Sequence, residues 1–205
     1  MENIKKPTFD IDLDFADRSQ LLKLITYTPA RIETALGETK MHNSGVYVTP
    51  VPTDPVNGMC SFDHKKAEEL GYIKLDLLNQ SVYKLIKNQE HLTKLMNQPV
   101  NWDKLQDAAI IKKLIHVSNY SGLIKKLPEP IDSIEKLAMF ISLVRPGKKH
   151  LQGLYWNEIR QSIWEKTDIG YFFKHSHAIS YALLVTLHLK LLEEQEPDQS
   201  DTKVS

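Results

Sequence analysis

Apolar and acidic residues alternate without interruption through Thr8-Phe9-Asp10-Ile11-Asp12-Leu13-Asp14-Phe15, a period of two that predicts a strand. Phe9, Ile11, Leu13 and Phe15 are expected to face a core, with Asp10, Asp12 and Asp14 on the other face. Carboxylates two positions apart on a strand lie about 6.5–7 Å from one another. At that spacing they repel, and two of them can grip a pair of divalent cations. An acidic face can also serve only to keep an edge strand from pairing with other molecules. A second strand bears on the choice. Tyr72-Ile73-Lys74-Leu75-Asp76-Leu77-Leu78 puts Ile73, Leu75 and Leu77 on one side and Lys74 and Asp76 on the other. Taken alone, Lys74 and Asp76 read as a surface ion pair. Beside the acidic strand, Asp76 becomes a candidate third metal ligand.

With 205 residues, 41% hydrophobic, the chain can build one substantial core or two small lobes. The formal net charge is zero, so no overall basic field points to nucleic acid; only charge gathered on one face would do so. A single cysteine, Cys60, excludes an internal disulfide and suits a reducing compartment. Met1–Lys6 is short and polar, unlike a signal peptide. The most apolar run, Ala178–Leu189, is too short to span a bilayer. A soluble, cytoplasmic protein is the expectation.

Asp17 is a candidate N-cap for a helix over Arg18–Ile25, and Pro29 and Gly37 bracket a second short helix over Ala30–Leu36. Met41–Gly45 reads as a turn followed by a β-branched strand, Val46–Thr49. Three prolines make Pro50–Pro55 a loop. Cys60–Asp63 reads as a short strand, and His64–Leu70 as a helix closed by Gly71. Helical spacing then takes over: Ser81–Met96, Asp103–His116, a break at Gly122, Ser133–Val144, Leu154–Lys166, and Ala178–Glu193 capped by Ser176. The polar stretch Gln195–Ser205 reads as a disordered tail. The expected fold class is α+β, with a mixed αβ lobe over residues 1–80, a helical lobe over 81–194 and the tail over 195–205.

Several motifs occur in an order that resembles one family. Phe9-Asp10-Ile11-Asp12-Leu13-Asp14-Phe15 resembles the palm motif P-D-[FI]-D-[IV]-D-F of the alpha subunit of bacterial DNA polymerase III, the C-family replicative polymerase. His42-Asn43-Ser44-Gly45-Val46-Tyr47-Val48 is similar to that family's H-[AN]-[SG]-G-V-V-I segment. Phe62-Asp63, followed by Leu70-Gly71-Tyr72-Ile73-Lys74-Leu75-Asp76-Leu77-Leu78, resembles its second palm strand. Phe140-Ile141-Ser142-Leu143-Val144-Arg145-Pro146-Gly147 looks like the fingers motif A-L-[YF]-R-P-G-P. Tyr171–Ala182 looks like F-N-K-S-H-A-x-x-Y-A. Departures accompany the likeness. The chain begins seven residues before the acidic strand, where the family places a Gly/Ser-rich triphosphate-binding turn. Phe15 and His42 are closer together than in the family, Lys148 stands where the motif has its last proline, and Asn79 replaces a glycine. The family's PHP, clamp-binding and oligonucleotide-binding domains do not fit in this length. The resemblance therefore implies a palm-and-fingers fragment, of a kind a phage could encode.

What the resemblance implies for the site is specific. Asp12, Asp14 and Asp76 match the three catalytic aspartates, and Asp10 a non-ligand position. In nucleotidyl transfer such carboxylates hold two Mg²⁺ ions, with Mn²⁺ as substitute; these activate the primer 3′-hydroxyl and neutralise the leaving pyrophosphate. Lys74, Arg145, Lys174, His175 and His177 become candidate contacts to nucleotide or DNA phosphates. Lys148 and Lys149 read as ordinary solvated charge. His175 and His177 do not read as a zinc site, because no cysteine or carboxylate stands at ligand spacing.

The implied partners are a DNA primer-template, a deoxynucleoside triphosphate and a second polypeptide supplying the Gly/Ser-rich turn, with no membrane. The implied activity is two-metal nucleotidyl transfer in DNA replication. Its alternative is a non-catalytic remnant that binds DNA or the replisome. A metal-dependent nuclease is a third reading, for which nothing supplies a general base. Convergence of Asp12, Asp14 and Asp76 within a few ångströms separates the first reading from the second.

Overall fold

The computed structural model describes residues 11–34, 36–165 and 173–195. Thr8, Phe9 and Asp10 of the acidic strand, Tyr171 and Phe172 of the last motif, and the expected tail beyond Gln195 lie outside these residues. The fold is α+β, with one four-stranded mixed sheet and several helices. It divides into two compact units, Met1–Lys84 and Leu85–Ser205. Among the described residues no helix is long and apolar enough to cross a membrane.

The first unit holds the sheet: β1 (Ile11–Phe15), β2 (Thr28–Glu33), β3 (Thr39–Tyr47) and β4 (Leu75–Asn79), in the spatial order β1-β4-β3-β2. β1 runs parallel to β4, and β4–β3 and β3–β2 are antiparallel. Asp17 caps α1 (Arg18–Leu22) by accepting from the Ser19 backbone N–H at 3.0 Å. The helix expected over Ala30–Leu36 is instead strand β2 with its turn. Pro29 is compatible with that because β2 lies at the sheet edge, where a missing N–H leaves no ladder partner unpaired. Cys60–Asp63 makes only isolated bridges, Thr53 to Cys60 and Arg31 to Asp63. Asp63 caps α2 (His64–Glu69) through the Lys65 N–H and also accepts from the Glu33 N–H at 2.8 Å, tying the helix to β2. Gly71 follows α2 in the left-handed conformation, φ 91°.

The apolar face of the sheet is centred on Leu77 and Val46, both buried. Leu13, expected inside, is 41% exposed, because β1 is the edge strand and sits at the margin of this layer. Ile73 is also exposed; it precedes β4, which begins only at Leu75. Behind β2 and β3 a small cluster joins Ala30, Tyr47, Cys60 and Ala67, with Val51, Phe62 and Tyr72 packed against it.

The second unit is helical. The single helix expected over Ser81–Met96 is two pieces, a 3-10 turn at Ser81–Leu85 that belongs to the first unit up to Lys84, and α3 (Gln89–Asn97) in the second. The break falls where Asn88 caps α3 by accepting from the His91 N–H at 2.8 Å. Asp103–His116 likewise resolves into a 3-10 turn, Trp102–Gln106, and α4 (Ala108–Ile111) capped by Asp107. Gly122 lies inside α5 (Ser121–Ile124) and breaks nothing. Ser133 caps α6 (Ile134–Leu143) through the Lys136 N–H. α7 is shorter than expected, Trp156–Ser162, and α8 runs His175–Gln195. Ser176 is inside its first turn and not the cap; the Lys174 carbonyl accepts the first helical bond, from Ala178.

Every residue of α6 from Leu137 to Leu143 is buried, and α6 packs along α8 through Ala178, Ala182, Val185 and Leu189. The two alanines let the helix backbones approach, and each large apolar side chain buried there stabilises by about 1.5–3 kcal/mol. Lys190 is buried too, and its ammonium donates to the Leu95 carbonyl at 2.8 Å, closing the end of α3.

Candidate functional site

The acidic residues of the first unit meet through strand register. Asp12 on β1 is the direct partner of Asp76 on β4, and Gly45 on β3 is the partner of Asp76 on its other side. Neighbouring strands lie about 4.8 Å apart, and direct partners project to the same face. Asp12, Asp76 and, one step along, Asp14 therefore share one face of adjacent strands. Asp12 and Asp14 are exposed, and Asp76 is buried.

The side chains around Asp76 are set by an irregularity in β3. Between Pro29 and Arg31 the partner on β3 jumps from Val46 to Met41, so His42, Asn43, Ser44 and Gly45 bulge out opposite Ala30. His42 holds the bulge: its Nδ1 accepts from the Gly45 N–H at 2.9 Å and the Ser44 N–H at 3.2 Å. The ring thus carries its proton, when neutral, on Nε2. Burial and the Lys74 cation hold its pKa below the ordinary histidine value, against the pull of Asp76, whose Oδ1 lies 3.7 Å away. So placed, the Ser44 hydroxyl donates to Asp76 Oδ1 at 2.6 Å. Lys74 donates to Asp76 Oδ2. A Cβ at Gly45 would stand 2.8 Å from Lys74 Cδ and 3.0 Å from His42 Nδ1, so only glycine leaves the lysine its path to Asp76. At the far end of β1, the Tyr83 hydroxyl lies 3.5 Å from Asp14 Oδ2; burial, then the Asp14 charge, raise the phenol's pKa.

The oxygen chemistry of this face suits Mg²⁺. The side chains as placed do not form a coordination set. Among the described residues no group of three or more His, Cys, Asp or Glu side chains could hold a metal ion. Both oxygens of Asp76 are engaged, one by a hydroxyl and one by an ammonium. Strand register sets the three aspartates on one face.

The candidate phosphate contacts of the second unit gather at one end of α8. Arg145, leaving α6, lays its guanidinium over the Phe173 ring at 4.4 Å. Phe173 stacks on Tyr181 at 5.6 Å, and Tyr181 lies against His116 at 4.3 Å. His177 meets the edge of Phe173 at 6.4 Å. His175 turns to the Trp164 ring at 4.1 Å, and Lys174 is exposed at the helix start. Arg145 Nε and His116 Nε2 are buried without a hydrogen-bond partner among the described residues. His116 holds φ at 62°, a conformation few non-glycine residues adopt. Burial, then the nearby Arg145 charge, hold its pKa down.

Lys148 is not solvated charge. It is buried, and its ammonium donates to the carbonyls of Ser162 at 2.6 Å and Glu165 at 2.8 Å, capping the end of α7. His42, Ser44 and His116 are among the residues of these arrangements that carry no role in the sequence reading. The signal for the first two was their adjacency to Gly45 in a quoted motif; for His116 the sequence holds none. No protein-family model, curated protein or solved structure matches the chain.

Proposed function

We propose that the chain is a palm-and-fingers fragment of a C-family-like replicative DNA polymerase, a cytoplasmic nucleotidyltransferase module that acts with a second polypeptide. The observation that carries this reading is the register of Asp12 with Asp76 on adjacent parallel strands, with Asp14 two positions on. A two-metal centre for phosphoryl transfer needs carboxylates from two neighbouring elements on one face. The resemblance named this same trio from motif order alone. In this reading the helical unit supplies the fingers: Arg145, Lys174, His175 and His177 meet phosphates of nucleotide or DNA, with Arg145 oriented by Phe173.

A second reading, a non-catalytic remnant that binds DNA or the replisome, is favoured by one specific observation. Asp76 is already engaged by Lys74 and Ser44, and no ligand group stands assembled among the described residues. Primer extension with Mg²⁺ tells the two apart, run on the protein alone and with candidate partner chains bearing a Gly/Ser-rich turn. The chain alone is expected to extend poorly or not at all, since preorganised donors at a transferring phosphoryl group are worth on the order of 10² or more in rate. Extension with a partner, abolished by Asp12→Asn, establishes the split enzyme. DNA binding without extension under every combination, unchanged in Asp12→Asn, establishes the remnant.

A further inference from the structure

We propose that His116 and Arg145 together bind one phosphate group in the helical unit, His116 taking up a proton from solvent as the anion arrives. The proposal rests on the fingers reading only for the source of that phosphate, a nucleotide or DNA.

The two residues come from separate stretches of the chain and are joined by a column of rings. The Arg145 guanidinium lies over Phe173 at 4.4 Å, Phe173 stacks on Tyr181 at 5.6 Å, and Tyr181 lies against His116 at 4.3 Å. The segment carrying His116 is pinned beside it, where the Ile115 N–H donates to His188 Nδ1 on the same helix as Tyr181. Two groups that can each carry positive charge are thus held close enough for the Arg145 charge to act on His116. Among the described residues no carboxylate pairs with either. Arg145 Nε and His116 Nε2 are also buried with no hydrogen-bond partner among the described residues. A buried polar nitrogen without a partner forfeits its hydration and gains nothing in return, and native structures contain few of them. Two such nitrogens on groups of the same charge sign call for an anion. His116 in addition adopts the left-handed backbone, φ 62°, at a cost for any residue with a Cβ. Both side chains are only partly buried, so an anion reaches them from solvent, and a small turn of ring and guanidinium aims the unpaired nitrogens at it. A guanidinium and an imidazolium are donors only, which matches the acceptor oxygens of a phosphate.

Proton uptake follows from the same arrangement. Without the anion, burial and then the Arg145 charge disfavour the imidazolium. An anion between them pairs both charges and favours it. The titratable groups facing His116 are Arg145, from the end of α6, and Tyr181, from α8. In its own segment Tyr120 turns to Phe140, and Lys112 and Lys113 are exposed.

Calorimetric titration of the full chain with sulfate and with inorganic triphosphate tests this. Sulfate keeps its charge between pH 6 and pH 8, so a change in its affinity belongs to the protein. The wild type is expected to bind sulfate about tenfold more tightly at pH 6 than at pH 8, within what uptake of one proton allows. Heats in two buffers of different ionisation enthalpy should count that proton. His116→Asn, which suits the left-handed backbone, should bind more weakly at pH 6 and lose both the pH dependence and the proton. Arg145→Gln should lose about tenfold at either pH. His116→Gly repeats the test should the asparagine variant fold poorly by circular dichroism. Sulfate affinity independent of pH in the wild type, or equally pH-dependent in His116→Asn and His116→Gly, overturns the proposal, as does no binding at pH 6. Displacement of bound triphosphate by a deoxynucleoside triphosphate identifies a nucleotide as the source, and displacement by duplex DNA alone identifies the DNA backbone. Proton-linked sulfate binding with displacement by neither leaves the proposal standing and removes the fingers reading.

Discussion

His188 is half-buried in α8, and its Nδ1 accepts a hydrogen bond from the Ile115 backbone N–H at 3.1 Å. Only a ring unprotonated at Nδ1 can accept that bond, and burial holds its pKa below the ordinary value. The unfolded chain therefore binds more protons than the folded one as pH falls below about 6.5. Stability from this group is complete above that pH and is lost as pH falls through the lowered folded value. His116, facing Arg145 and Tyr181, contributes with the same sign. Melting temperature should thus decline from pH 7.5 to pH 5.5, and His188→Gln should flatten part of the decline. It should also cost about 1 kcal/mol at pH 7.5 for the lost hydrogen bond. A decline of the same steepness in the variant would assign the effect to other groups.

Helix ends were the part of the fold most open to reading from sequence, since a cap is a local contract between a side chain and an amide two or three residues on. Asp17 caps as its position suggests, Asp63 and Ser133 cap the helices that follow them, and Ser176, expected as a cap, lies inside α8. Ser133→Ala should accordingly cost about 1 kcal/mol in urea unfolding, with Ser133→Asp nearly neutral; an unchanged midpoint in the alanine variant would show that tertiary packing alone holds α6. The same logic missed Asn88, because an apolar period continues across it and hid the cap that divides Ser81–Met96. β2 was illegible for a different reason. Pro29 and Gly37 look like helix punctuation, and what makes Thr28–Glu33 a strand is its pairing with Thr39–Tyr47. The site divides in the same way. The spacing of Asp12, Asp14 and Asp76 is written in the sequence, whereas the bulge that brings Ser44 to Asp76 exists only through pairing with β2. Lys148 became a cap only because the end of α7 lies beside it.

For the molecule as a whole, zero net charge limits what nucleic acid can do. With 26 basic and 26 acidic side chains, binding cannot come from an overall field and must come from a local cluster. In the helical unit the candidates are Arg145, Lys174, His175 and His177, whereas Lys148 is buried against backbone carbonyls. DNA affinity should be weak, and log affinity should fall with log salt at a shallow slope of a few units. Arg145→Ala with Lys174→Ala should lower affinity at low salt and flatten the slope. Binding indifferent to both changes would place the contact elsewhere. The parallel pairing of β1 with β4 carries a consequence for how the chain reaches its native state. Roughly sixty residues separate the two strands, so their pairing closes a long loop and comes late, after hairpins such as β2–β3. Lys74 is local to Asp76 and can neutralise it before β1 arrives. The strand that completes the sheet then docks against a compensated partner, and a chain lacking the lysine would have to fold against its own repulsion, most slowly at low ionic strength.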